Sequence, residues 1–93
     1  MLRHKVNTES EIAKLVTDYI REELYGGREV EIDPDANIFT SGLVDSLGIM
    51  KLIAHVEKSL ALKIPPPDLI PDHFRTINVM AGYLAGQKKR AAS

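Results

Sequence analysis

The sequence predicts an all-α fold, a small up-and-down-like bundle of three main helices plus one short helix. Three observations predict it. Apolar residues recur at intervals of three and four in three separate stretches, the period of one helical face. Glycine and proline clusters divide those stretches. One run alone, Val30 and Ile32 between Glu29 and Glu31, alternates like a strand, and no second run is there to pair with it. The 93 residues suit a single domain, 1–93, with an ordered core of about 8–86 and tails at 1–7 and 88–93. A bundle buries three narrow apolar stripes against one another.

The first helix is expected from Thr8 to about Leu24, with Ile12, Leu15, Val16, Tyr19, Ile20 and Leu24 on its buried face. Thr8 and Glu11 fit a capping box. Gly26 and Gly27 end the helix, because glycine accepts the left-handed conformation at a C-terminus. A long loop follows, from Arg28 to Asp45, with turn chemistry at Asp33-Pro34-Asp35. Ile38, Phe39, Leu43 and Val44 are too apolar for a freely solvated loop, so they are expected to tuck between helices.

The second helix is expected from Ser46 to about Leu60. Ile49, Leu52, Ile53, Val56 and Leu60 form its buried stripe. Leu47, Met50, Lys51, Ala54 and Lys58 lie on another face. Pro65-Pro66-Pro67 cannot continue a helix, since proline lacks the donor and clashes with the preceding turn. Asp72-His73-Phe74-Arg75 is the expected short helix. Thr76 is the expected N-cap of a last helix from Ile77 to about Gln87, with Ile77, Met80, Ala81 and Leu84 inward. Lys88, Lys89 and Arg90 would then complement its C-terminus.

Composition removes several functions. The net charge of −1 gives no basic field for nucleic acid. The chain has no cysteine, which excludes disulfides, thiolate metal sites and cysteine nucleophiles. No apolar run approaches the ~20 residues of a membrane span, and the basic start Met1-Leu2-Arg3-His4-Lys5 lacks the apolar region of a secretory signal. No lipidation pattern is evident. A cytoplasmic protein, without membrane insertion, is the expectation. His4, His55 and His73 are scattered and have no metal-ligand spacing. No pair of carboxylates reads as an acid/base couple. No enzyme is expected.

What remains is Gly42-Leu43-Val44-Asp45-Ser46-Leu47, which ends the long loop and opens the most regular helix. Asp45 or Ser46 is a natural helix cap. Yet apolar Leu47 and Met50 stand beside the serine, where a mere cap would need none.

On these residues the chain resembles the acyl carrier protein family, including its peptidyl and aminoacyl carriers. Ile38-Phe39, the hexapeptide from Gly42 to Leu47 and the helix through Leu60 carry the resemblance. Asp33-Pro34-Asp35-Ala36 and Asp72-His73-Phe74-Arg75-Thr76-Ile77 extend it over about residues 8 to 86. The resemblance implies that Ser46 receives 4′-phosphopantetheine from coenzyme A through a phosphopantetheinyl transferase and magnesium. Acyl or aminoacyl groups would then ride as thioesters on the arm, supplied by an acyl or aminoacyl ligase and used by downstream acyl-processing enzymes. It implies that Asp45 serves transferase recognition or caps the helix, and that Leu47 and Met50, with Lys51 and Ala54 on the same face, meet partners. Ile49, Leu52, Ile53 and Ile77 are candidates for lining an acyl cleft, and core packing accounts for them equally.

The second helix departs from the strongly acidic fatty-acid carriers. It bears Lys51, His55 and Lys58 with Glu57 as its sole carboxylate. Since charge complementarity sets partner choice, a specialised, free-standing, monomeric carrier is expected, serving a dedicated lipid, polyketide or amino-acid pathway. Gly48 is expected to weaken the helix by roughly 1 kcal/mol relative to alanine and to leave the turn after Ser46 mobile. The alternative is a small helical interaction module without a prosthetic group.

Overall fold

The structure, a computed structural model, describes residues 8–92, and within them every regular element is helical. The order is α1 (Glu9–Tyr19), a π-helical turn (Ile20–Leu24), α2 (Ser46–Leu60), a 3-10 turn (Pro66–Asp68), α3 (Pro71–Phe74) and α4 (Ile77–Ala92). The expected tail at 1–7 lies outside the described residues. The last helix, expected to end at about Gln87, runs on to Ala92.

Local chemistry accounts for the helix starts. Thr8 Oγ1 accepts the Glu11 N–H at 3.2 Å, while Glu11 Oε1 accepts the Thr8 N–H at 3.3 Å. This is the reciprocal cap that the Thr8/Glu11 spacing announced. Thr76 Oγ1 accepts the Val79 N–H at 2.9 Å and caps α4. The end of α1 differs from a plain α-helix. Its last turn widens to π geometry, which changes the phase of the residues that follow.

α1 packs against both α4 and α2, and α3 against α4. The core takes Ile12, Val16 and Ile20 from the first helix, Leu52, Val56 and Leu60 from α2, and Ile77, Met80, Ala81 and Leu84 from α4. Burying each large aliphatic side chain contributes about 1.5–3 kcal/mol. Two members of the expected α2 stripe, Ile49 and Ile53, are only half-buried. Gly48 takes a buried place on α2 instead.

The long loop is pinned along its length. Asp33 Oδ1 accepts the Asp35 N–H at 2.9 Å, closing the expected turn. Asp35 Oδ1 then accepts from the Asn78 amide at 2.7 Å, and the Pro34 carbonyl accepts the Asn78 N–H at 3.0 Å. Both bonds tie the loop to the start of α4. The Ile38 N–H donates to the Arg75 carbonyl at 2.9 Å. Ile38 and Val44 are buried and Leu43 is half-buried, as expected, but Phe39 stays exposed. Gly42 has φ +79°, a left-handed conformation that admits glycine readily.

Lys88 corrects another expectation. Its Nζ reaches across to donate to the carbonyl of Leu60 at 2.8 Å, so it caps the last turn of α2 rather than only complementing α4. An unpaired carbonyl at a helix end gains from such a cationic donor.

Candidate functional site at the start of α2

The site is built where the pinned loop meets α2. Asp45 is the N-cap, with extended backbone, and its Oδ1 accepts the Gly48 N–H at 2.7 Å. Its carbonyl accepts the Ile49 N–H at 2.9 Å. Ser46 is the first residue of the helix itself. Its side chain is exposed and holds no hydrogen bond among the described residues. Of the two cap candidates read from the sequence, the structure selects Asp45. The Ser46 hydroxyl is thereby left free at a helix N-terminus, where backbone N–H groups and the helix dipole favour an attached phosphate. The residues therefore fit a phosphodiester-linked arm at this point.

Leu47 and Met50 are 61% and 67% exposed, large values for apolar side chains in a helix. Lys51 and Ala54 are exposed on the same face. These four residues and Ser46 form one continuous surface, as their spacing predicts. The proposed cleft residues do not share one environment. Leu52 and Ile77 are fully buried in the core, whereas Ile49 and Ile53 lie at its margin.

Two residues that shape the site, Tyr25 and Leu24, were not singled out for it from the sequence, and a third, Gly48, was expected only to loosen it. The Tyr25 hydroxyl donates to the Leu43 carbonyl at 2.6 Å, joining the end of the first helix to the loop before Ser46. Leu24 packs at the same junction. A Cβ on Gly48 would stand 3.3 Å from Leu24 Cδ1, 3.0 Å from Val44 Cγ1 and 3.1 Å from Asp45 Oδ1. Gly48 is thus a close-approach residue, buried between the two helices, and the expected mobile turn is a packed one. A groove of about 330 Å³ runs beside this junction, between Glu23, Leu24 and Tyr25 on one wall and Leu47, Gly48 and Lys51 on the other. The one signal for Tyr25 was an aromatic residue just before the Gly26-Gly27 helix stop.

The described residues hold no group of three or more His, Cys, Asp or Glu side chains placed to bind a metal. No described helix is long and apolar enough to cross a membrane.

Comparison with known proteins agrees with the geometry. Residues 14–84 match the family described as "Phosphopantetheine attachment site". A D-alanyl carrier protein from Bacillus pumilus (strain SAFR-032) is 34% identical over 59 residues, which cover 63% of this chain and 76% of the relative. A chain in a solved structure described as "Crystal structure of FAD-dependent dehydrogenase" superposes with a TM-score of 0.63 at 28% identity, covering 75% of this chain and 97% of that one. The alternative of an interaction module without a prosthetic group is set aside by the family match. The chain belongs to the phosphopantetheine attachment-site family, as a non-catalytic carrier protein whose cofactor is a covalently attached 4′-phosphopantetheine.

Proposed function

We propose that Ser46 bears the arm and that the protein carries a short acyl or aminoacyl group on it as a thioester. The observation that carries this reading is the exposed, unbonded Ser46 hydroxyl beside a cap supplied by Asp45. In the loading step the hydroxyl oxygen attacks the pantetheine-side phosphorus of coenzyme A. A new O–P bond forms, the pyrophosphate P–O bond breaks, adenosine 3′,5′-bisphosphate leaves, and the serine proton passes to base. The arm supplies a thiol to a chain that has none, on a tether that raises local substrate concentration at a docked enzyme.

A short cargo is supported by the packing. Leu52 and Ile77, two candidates for a cleft, are sealed in the core. The D-alanyl carrier relative supports an aminoacyl group, delivered by an aminoacyl ligase in an amino-acid pathway. Leu47, Met50, Lys51 and Ala54 serve as the contact face for the transferase, the ligase and downstream enzymes, and Asp45 assists the transferase. The protein works as a cytoplasmic monomer.

Co-expression with a broad-range phosphopantetheinyl transferase, read by intact mass, tests the attachment. One added phosphopantetheine unit on wild type and none on Ser46→Ala is the expected result. An unmodified wild type, or a loaded Ser46→Ala, refutes it. Incubating the loaded protein with an aminoacyl ligase and D-alanine tests the cargo class by the same measurement.

The solved dehydrogenase structure favours one further reading, an oxidising step on the cargo. A thioester acidifies the α C–H bond, so a base can take that proton while a hydride passes from the β-carbon to a flavin, leaving an α,β-unsaturated thioester and a reduced flavin. Mixing the loaded carrier with that dehydrogenase should bleach the oxidised flavin band, and an unchanged spectrum refutes this reading.

A further inference from the structure

Among the described residues the Ser46 hydroxyl has no bond of its own to fix its direction, so the backbone on either side does so. After Ser46 stands a regular helix. Before it stands the peptide unit joining Leu43 and Val44. Both polar atoms of that unit are engaged from different parts of the fold. The Val44 N–H donates to the Ile38 carbonyl at 3.1 Å. The Leu43 carbonyl accepts the Tyr25 hydroxyl at 2.6 Å. With both atoms held, the plane of the peptide cannot turn.

Tyr25 is itself anchored. Its carbonyl accepts both the Arg28 N–H and Arg28 Nε at 3.1 Å, and the Gly27 N–H donates to the Arg21 carbonyl at 2.8 Å. The π-helical turn at Ile20–Leu24 sets the phase from which Tyr25 reaches Leu43 and Leu24 reaches Gly48. The end of the first helix therefore braces both sides of the Ser46 joint, through Leu43 before it and Gly48 after it.

We propose that Tyr25 is a positioning residue for attachment of the arm. By holding the Leu43 carbonyl it keeps Asp45 and Ser46 aligned for the transferase, without touching coenzyme A. The proposal rests on the reading of Ser46 as the attachment point. Small misalignments of a nucleophile carry large rate penalties, up to ~100-fold for ~1 Å. Loss of the Tyr25 hydroxyl should therefore slow the attachment step and leave docking alone, because Leu47 and Met50 are untouched.

The test compares wild type, Tyr25→Phe and Ser46→Ala in coenzyme A-dependent loading by a broad-range transferase. Rates come from intact mass at several carrier concentrations, at a temperature where circular dichroism shows each protein fully folded. For Tyr25→Phe the expected result is a fall in kcat of about tenfold, with KM within about twofold of wild type. Amide exchange should quicken at Val44, Asp45 and Ser46 while Met80 and Leu84 keep their protection, a pattern that a general loss of stability does not give. An unchanged kcat, a change in KM alone, or exchange that rises equally in α4 overturns the proposal. A wild type that fails to load, or a Ser46→Ala that loads, overturns the attachment reading and this proposal with it. Normal loading of both wild type and Tyr25→Phe overturns the Tyr25 proposal alone.

Discussion

Asp45 Oδ1 accepts the N–H of Gly48 at 2.7 Å, and this one bond divides the labour of the Asp45-Ser46 pair. Asp45 holds the helix, and the Ser46 side chain stays exposed beside it. Asp45→Ala should cost about 0.5–2 kcal/mol, the range for removing an N-cap. Ser46→Ala should fall within about 0.5 kcal/mol of wild type, as exposed substitutions usually do. Asp45→Asn keeps a capping oxygen, so its stability should stay close to wild type while its loading by the transferase slows. Urea denaturation and loading rates check the three variants together.

Gly48→Ala sets two effects against each other. Alanine gains up to ~1 kcal/mol of helix propensity. The new methyl, however, meets Val44 at 3.0 Å, the capping oxygen of Asp45 at 3.1 Å and Leu24 at 3.3 Å. Overpacking of this kind costs about 1–3 kcal/mol. The contacts fall on a capping atom and on two side chains already packed, so the loss should prevail. Chemical denaturation should show Gly48→Ala less stable by roughly 1 kcal/mol.

The Tyr83 phenol should make stability fall in alkali. Burial raises its pKa above the ordinary value of 10.0, and the hydrogen bond it donates to Asp68 Oδ2, at 2.6 Å, adds to the shift. The folded state thus favours the neutral phenol. Its contribution is complete below pH 10.0 and is lost as the pH rises above that value. His73 stacks on the same ring at 4.4 Å, so the loss should loosen the link between α3 and α4. Tyr83→Phe should show a shallower decline than wild type above pH 10.0, measured by denaturation at a series of pH values.

Lys88→Ala should destabilise the protein by about 0.5–1.5 kcal/mol, the usual net worth of one hydrogen bond. The bond in question, Nζ to the Leu60 carbonyl at 2.8 Å, ties α4 to the end of α2. Lys63→Ala, at an exposed lysine elsewhere on the surface, should cost less. Thermal melts of the two variants make the comparison.

The sequence by itself determined the helices, their caps at Thr8 and Thr76, and the joint at Asp45-Ser46. These are local matters: a repeat of three and four, a side-chain oxygen three residues from an N–H, a glycine where φ must be positive. It also placed Leu47 and Met50 beside Ser46, because residues at neighbouring helical positions share a face without help from the rest of the chain. Only the tertiary structure decided which of Asp45 and Ser46 caps, since both are good caps and the choice depends on the angle at which the loop arrives. The widened turn at Ile20–Leu24, the Tyr25 bond to Leu43 and the burial of Gly48 were equally illegible. The last two join residues far apart in the chain, the widened turn is local but has no residue pattern that marks it, and read locally Gly48 appeared a weakness. The reach of Lys88 to Leu60 belongs with them, because a lysine near a helix end takes its partner from whatever carbonyl the packing of helices brings within range.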